Sequence, residues 1–118
     1  MATYTREDLN IRILGRLGVH DPGEEPDAAD YKLINDGVQQ KLEELYRKGW
    51  IPFDVDTDQI PARYFNALVG ICAVNFIDDF SAYERTATLA SAQQAGTRTL
   101  QEFVEEAALG SPTQANYF

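Results

Sequence analysis

The sequence predicts an all-α fold, a small bundle of about four helices followed by an extended C-terminal tail. Apolar residues recur at intervals of three and four in four separate segments. Each segment is bordered by glycine, proline or a capping residue, and no stretch alternates with the period of two that is typical of strands. The chain has 118 residues, enough for one domain with its own hydrophobic core.

The first helix is predicted over residues 6–17. Thr5 and Asp8 have the spacing of a capping box, in which two side chains satisfy the free backbone amides at a helix start. Gly18 follows at the position of a left-handed helix stop. The apolar stripe has a spacing of four and consists of Leu9, Ile13 and Leu17.

The second helix is predicted over residues 28–48. A loop at residues 19–27, rich in proline and acidic residues, precedes it. Asp27 is placed to cap its start, and Gly49 is placed to end it. Its apolar stripe consists of Tyr31, Ile34, Val38, Leu42 and Leu45.

The third helix is predicted over residues 61–80, after an irregular segment at residues 50–60, with Pro61 in its first turn. Apolar residues cover nearly all of its sides: one face holds Phe65, Leu68, Val69, Cys72 and Phe76, and other sides hold Ile71, Val74 and Ile77. A helix that is hydrophobic nearly all round is a buried one. We therefore expect this helix to form the centre of the core.

The fourth helix is predicted over residues 84–109, with a stripe of Leu89, Ala92, Gly96, Leu100, Phe103 and Ala107. Gly96 inside a helix costs about 1 kcal/mol relative to alanine, so a close backbone contact is the expected compensation. We therefore predict a packing seam at Ala92, Gly96, Leu100 and Phe103, either within the subunit or between neighbouring subunits. A helical domain at residues 1–110 and a flexible arm at residues 111–118 complete the predicted organisation.

Composition excludes several classes of protein. The formal net charge is −9, and the basic residues are scattered, which disfavours specific nucleic-acid binding. The start of the chain is polar and charged, unlike a signal peptide. The longest apolar run, residues 67–74, is far shorter than the ~20 residues of a membrane span. A single cysteine excludes an internal disulfide and a cysteine-rich zinc site.

Catalytic and metal-binding patterns are weak. The acidic run that starts at Asp54 has the opening spacing of a calcium loop, but Gln59 and Phe65 stand where that loop needs glycine and glutamate. His20 and Cys72 lie in different segments without a third catalytic partner. Three acidic doublets could supply the two carboxylates of a glycosidase, but such doublets arise by chance among nineteen acids, and neighbours in a helix point in different directions. They are Glu43–Glu44, Asp78–Asp79 and Glu105–Glu106. We therefore predict no enzyme activity, no cofactor and no metal.

The C-terminal arm ends on two aromatic residues, and aromatic side chains are common anchors in a partner's pocket. Chain ends are usually frayed, so composition alone leaves two interpretations of this arm open: a frayed end, or a segment that docks on a partner protein. The arm consists of Ser111, Pro112, Thr113, Gln114, Ala115, Asn116, Tyr117 and Phe118.

Three stretches carry a resemblance to a known family. The first runs from Asp8–Leu9 to Gly15–Arg16–Leu17–Gly18–Val19, and the second is LEELYRKGWI over residues 42–51. The third runs from YFNAL to AVNF over residues 64–76 and precedes an alanine- and threonine-rich last helix. In this order the segments resemble tailed-phage head-to-tail connectors, the adaptor or tail accessory proteins that dock beneath the portal. The resemblance covers about residues 7–104.

The resemblance implies a small helical protomer that assembles as a dodecameric ring on the portal protein. Such a ring extends the DNA channel and offers a platform to a downstream tail, nozzle or stopper protein. DNA would pass through without sequence-specific binding, and the segment after the last helix would reach the portal. The protein would be assembled in the host cytoplasm and would lie in the neck of the virion.

An acidic surface suits a ring around DNA, because a negative lumen repels phosphates and lets the duplex slide. We expect channel-facing acids among Glu24, Glu25, Asp54, Asp56 and Asp58. Two other classes stay open from the residues themselves. One is a helical protein-interaction module without ring assembly, and the other is a carboxylate-type cell-wall hydrolase.

Overall fold

A computed structural model describes residues 3–21 and 23–109. In these residues four α-helices and two short strands follow one another; they are β1 (Thr3–Tyr4), α1 (Arg6–Arg16), α2 (Ala28–Arg47), β2 (Ile60–Pro61), α3 (Ala62–Ala73) and α4 (Thr86–Leu109). α3 packs against α4 on one side and α1 on another, and α2 packs mainly against α1. The predicted all-α class is confirmed. The predicted tail at residues 111–118 lies outside the described residues.

α1 begins as predicted, and it ends one residue before the predicted end, because Leu17 is the C-cap. The Thr5 hydroxyl accepts a hydrogen bond from the Asp8 amide at 3.0 Å, and the Asp8 carboxylate accepts one from the Thr5 amide at 3.0 Å. These two bonds complete the capping box. At the other end Gly18 has a φ of +79°, and the Val19 amide donates to the Leu14 carbonyl at 3.2 Å. This is the six-to-one bond of a Schellman motif.

α2 ends by the same motif. The Asp27 carboxylate accepts from the amides of the first turn, as predicted for a cap. Gly49 has a φ of +76°, and the Trp50 amide donates to the Leu45 carbonyl at 2.9 Å. The predicted boundary is one residue too long, because Lys48 is the C-cap.

α3 is shorter than the predicted span of residues 61–80. The helix ends at Ala73, tightens into a 3₁₀ turn at Val74–Phe76, and the chain then reverses at Ser81, whose φ is +52°. The tightened turn places the Phe76 ring against Gly37 of α2, a contact between distant segments that periodicity does not encode. Pro61 is also placed differently, since it is the N-cap and not part of the first turn.

The core prediction for α3 is confirmed. Eight of its twelve residues are buried, and they are Phe65, Ala67, Leu68, Val69, Gly70, Ile71, Cys72 and Ala73. Side chains of α1 and α2 complete the core around it, with Leu9, Ile13, Ile34 and Leu42 all at most 1% exposed. A helix buried on most sides therefore holds the other three together.

A two-stranded sheet that the sequence did not predict joins the chain start to the entry of α3. The strands are antiparallel, with Thr3 opposite Pro61 and Tyr4 opposite Ile60. Strands of two residues are too short to show a period-two pattern. Tyr4 stacks on Phe65 with ring centroids 4.1 Å apart, which fixes the sheet on α3.

α4 starts two residues later than predicted, after a 3₁₀ turn at Tyr83–Arg85. Leu89, Gly96 and Leu100 of its predicted stripe are buried. Ala107 is exposed, so the prediction that the apolar stripe extends to this residue was wrong. The reason is that Phe103 already packs on Tyr64 near the start of α3, so the next turn of α4 has no α3 beneath it. No described helix is long and apolar enough to cross a membrane.

Candidate functional site

The predicted seam at Ala92 and Gly96 is a close contact between the backbones of α3 and α4. A Cβ atom on Gly96 would lie 2.6 Å from the Ala67 carbonyl oxygen, and one on Gly70 would lie 2.5 Å from the Ala92 carbonyl oxygen. Two glycines on facing helices therefore allow each other's backbone to approach. The structure places this contact within the chain, and Gly70 is the partner that the sequence analysis did not find.

The two remaining seam residues extend the same contact along α4. Leu100 is fully buried, and the Phe103 ring meets the Tyr64 ring edge to face at 5.0 Å. Arg63 lies 3.9 Å above the Phe103 ring, and its guanidinium pairs with Glu106 at 3.3 Å. All four predicted seam residues thus contribute to the packing of α4 on α3.

The three predicted acids of the irregular loop bind neighbouring groups while staying exposed to solvent. Asp54 accepts from the Asp56 amide at 2.8 Å, and Asp56 accepts from the Gln39 side chain at 3.2 Å. Asp58 accepts from the Arg6 amide at 2.9 Å, where it acts on the first turn of α1. One carboxylate oxygen of each residue therefore holds the loop in place.

The other two predicted acids are far from that loop. Glu24 and Glu25 are exposed in the segment after α1, where His20 Nε2 donates to the Glu24 carbonyl at 2.5 Å. Asp58 lies at the start of α1 and Glu24 follows its end, so the length of α1, about 16 Å for eleven residues, separates them. The five acids form two separate groups.

A polar cluster that the sequence analysis missed lies between α1 and α2. Asn10 is fully buried, and its amide donates to the Asn35 side-chain oxygen at 2.9 Å. Arg6 donates to the same oxygen at 3.4 Å, to Gln39 at 2.8 Å and to the Val55 carbonyl. The signal was present in the sequence, because Arg6 and Asn10 share the helical face of the α1 core residues.

The cysteine considered as a nucleophile is a core residue. Cys72 is fully buried, and burial raises the pKa of its thiol to about 12. A thiol is nucleophilic only as thiolate, which is scarce at neutral pH for such a group.

Two of the three acidic doublets contribute a residue to an ion pair, Glu44 and Glu106. Glu44 binds Lys41 at 2.9 Å and Lys48 at 3.5 Å, and its bond to the Lys41 ammonium lowers its pKa. A glycosidase acid needs the opposite shift. Within residues 3–21 and 23–109, no three side chains of His, Cys, Asp or Glu are grouped to hold a metal ion.

Two of the surface grooves on the described residues differ in character. The first, here the α2 groove, has a volume of about 430 Å³ between α2 and the turn after α3, and its lining includes Leu33, Asp36, Lys41, Glu44, Phe76 and Asp79. The second, here the α1–α4 groove, has about 190 Å³ over the α3–α4 contact, and its lining includes Arg16, Asn66, Gly70, Ala92, Ala95 and Thr99. The first groove has three acids in its lining, and the second has none.

No protein-family model, curated protein or solved structure matches this chain. Its functional assignment therefore depends on its own residues.

Large apolar side chains are exposed at separate places on the described part of the chain. They are Tyr4 at 37%, Val19 at 39%, Leu33 at 42%, Tyr46 at 53%, Tyr83 at 60% and Val104 at 39%. They belong to β1, α2, α4 and the segments that follow α1 and precede α4. Single exposed apolar side chains are normal on a folded domain, so these six residues do not by themselves mark an interface.

The predicted portal-binding arm lies outside the described residues. It comprises residues 111–118, and it would begin two residues beyond the end of α4 at Leu109.

Proposed function

We propose that this chain is a structural virion protein, a head-to-tail adaptor that docks as a ring on the portal of a tailed phage. The ring extends the DNA channel and forms the platform for a tail, nozzle or stopper protein. The order and type of the helical segments, similar to those of the connector family, suggest this role. The observation that carries it is the presence of two unlike grooves with no lining residue in common.

Ring assembly requires that one subunit offer two different surfaces, because a head-to-tail contact is heterologous. A protein that binds one small partner needs a single surface. The α2 groove and the α1–α4 groove share no lining residue, so both can be occupied at once.

The acidic balance of the chain supports the same proposal. The net charge is −9, and the acids of the two loops are exposed. In a ring whose lumen carries these side chains, DNA phosphates are repelled and the duplex slides without binding.

The test is the native mass of the full chain alone and mixed with its cognate portal ring. We expect uptake of a fixed, symmetric number of copies. A second form that lacks residues 111–118 is expected to lose uptake, because the arm is the proposed portal anchor. Equal uptake by the truncated form would contradict the role of the arm, and no uptake by either form would contradict the adaptor proposal.

A further inference from the structure

Leu33 and Asp36, which line the α2 groove, also expose an apolar group and a negative charge to solvent on α2. Leu33 is 42% exposed, and the Asp36 side chain is 58% exposed. They are three residues apart and so lie on one face of the helix. Among the described residues, Asp36 forms an ion pair with Lys32 of the same helix at 2.8 Å, and such exposed pairs contribute little to stability. Here we call these two residues the α2 ridge.

The α1–α4 groove has a shape that accepts one protruding apolar side chain. Its floor contains Gly70 and Ala92, where the helix backbones touch. Its volume of about 190 Å³ exceeds the ~150 Å³ of a protein cavity that binds benzene. A leucine side chain therefore fits within it.

The charge of the α1–α4 groove complements the ridge. Arg16 lines the groove, and the Arg85 guanidinium donates to the Arg16 backbone carbonyl at 3.3 Å, which places a second cation beside the end of α1. From Arg85 to Gln101 the chain contains no acidic residue. In a protein of net charge −9, most pairs of surfaces repel each other, and this face does not repel an acidic ridge.

The ridge and the groove are on different elements. The ridge belongs to α2, whereas the groove is formed by α1, α3 and α4. A contact between them uses a different surface on each copy, so each copy can repeat it with the next.

From this complementarity we propose that the partner of the α1–α4 groove is a second copy of this chain, with Leu33 of one copy in the groove and its Asp36 facing Arg16 of the next. The inference rests on the proposed ring assembly and names its subunit contact.

Cysteine cross-linking tests the contact. In the variant Leu33→Cys/Ala95→Cys, both new thiols are on exposed residues, and the buried Cys72 does not compete. Two samples of this variant are oxidised mildly: the free protein at high concentration, and the protein mixed with the portal ring. In both we expect a ladder of disulfide-linked species that extends beyond dimers. Each single variant is expected to give no ladder. The control Leu33→Cys/Glu105→Cys moves the second thiol to an exposed position on α4 outside the groove and is expected to stay unlinked.

Three results would overturn the proposal: no ladder in either sample, an equal ladder from the control, or dimers from Leu33→Cys alone. The last result would mean that α2 pairs with α2 in a symmetric contact. Circular dichroism of each variant shows whether the fold is retained, and the exposure of the substituted residues leads us to expect that it is.

Charge reversal gives an independent measurement of the same contact. Arg16→Glu or Asp36→Arg alone should weaken self-association about tenfold, and the double variant should recover most of the loss. Glu43→Arg, on an exposed part of α2 outside the groove, should not weaken association. Absence of recovery in the double variant would overturn the pairing of Arg16 with Asp36.

The contact and the adaptor role fail in different ways. A ladder without portal uptake would support the contact and contradict the adaptor role. Symmetric portal uptake without a ladder would support the adaptor role and contradict the contact.

Discussion

The ring of Phe76 occupies the space beside Gly37, where a Cβ atom would lie 2.5 Å from Phe76 Cζ. We expect Gly37→Ala to lower the free energy of unfolding by about 1–2 kcal/mol, because overpacking outweighs the ~1 kcal/mol that alanine gains in a helix. Gly15→Ala is the matched control, since a Cβ there meets nothing within 4 Å, and it should stabilise by about 0.5–1 kcal/mol. Urea unfolding of both variants measures the difference. Equal effects would contradict the Phe76 contact.

The seam between α3 and α4 predicts a coupled loss of stability. Gly70→Ala and Gly96→Ala each place a methyl group against a backbone carbonyl, and we expect each to cost about 2 kcal/mol. The double variant should cost less than the sum, because the first substitution already separates the helices. A double-mutant cycle by denaturant unfolding measures the coupling, and strict additivity would show that the two contacts are independent.

Ser81 predicts a stabilising substitution. Its φ of +52° is a left-handed conformation at a chain reversal, and the following Ala82 amide donates to the Ile77 carbonyl at 2.9 Å. Glycine adopts this conformation without strain, so we expect Ser81→Gly to stabilise by about 1 kcal/mol. Ser91→Gly, on the exposed side of α4, should instead destabilise by about 0.5–1 kcal/mol. Thermal unfolding of both variants tests whether their stabilities change in opposite directions. A lower stability of Ser81→Gly would contradict backbone strain at Ser81.

The buried thiol predicts a dependence of stability on alkaline pH. The pKa of Cys72 rises from 9.0 to about 12 on burial, so the folded chain keeps a proton that the unfolded chain loses above pH 9. Its contribution to the free energy of unfolding should fall between pH 9 and 12, by up to about 1.4 kcal/mol per pH unit.

The variant Cys72→Ala isolates this effect from the other groups that titrate in the same range. It should be less stable than the parent at pH 8, because a cavity replaces the thiol, and the difference should shrink as the pH rises. A constant difference from pH 8 to pH 11 would contradict the raised pKa.

The loop acids predict an effect on DNA passage without an effect on the fold. Replacement of Glu24 and Glu25 by glutamine, and of Asp54, Asp56 and Asp58 by asparagine, removes charge but keeps a side-chain oxygen for the loop hydrogen bonds. We expect the ring to form and genome ejection to slow or stall, since the lumen no longer repels phosphate. An ejection rate equal to that of the parent virion would contradict the channel-facing role of these acids.

Local signals in the sequence were enough to predict the starts of α1 and α2, and their ends to within one residue. A capping box at Thr5 and glycines at positions 18 and 49 act within a few residues, so their effect can be read from the chain directly. The buried character of α3 was predictable for a similar reason, because apolar residues on nearly all sides have no other stable location.

Features set by distant contacts were not predictable. The early end of α3 follows from Phe76 meeting Gly37, and the small sheet pairs Tyr4 with Ile60. The seam at Gly96 was predicted, but the role of Gly70 was not, because it depends on the contact of α3 with α4 and no local pattern marks it. The two grooves combine side chains from elements far apart in the chain, and a single helix pattern contains no information about such neighbours.

The two long loops differ in how they are held, and this determines where the chain can be extended. Hydrogen bonds from Arg6 and Gln39 hold the loop at Val55–Asp58 to α1 and α2. A Cβ on Gly23 would meet nothing within 4 Å, and that residue is exposed between the ends of α1 and α2. An epitope or reporter domain inserted beside Gly23 would therefore leave the helices intact. In the proposed ring, the inserted domain would lie close to the DNA channel, because Glu24 and Glu25 of the same segment are proposed to face it.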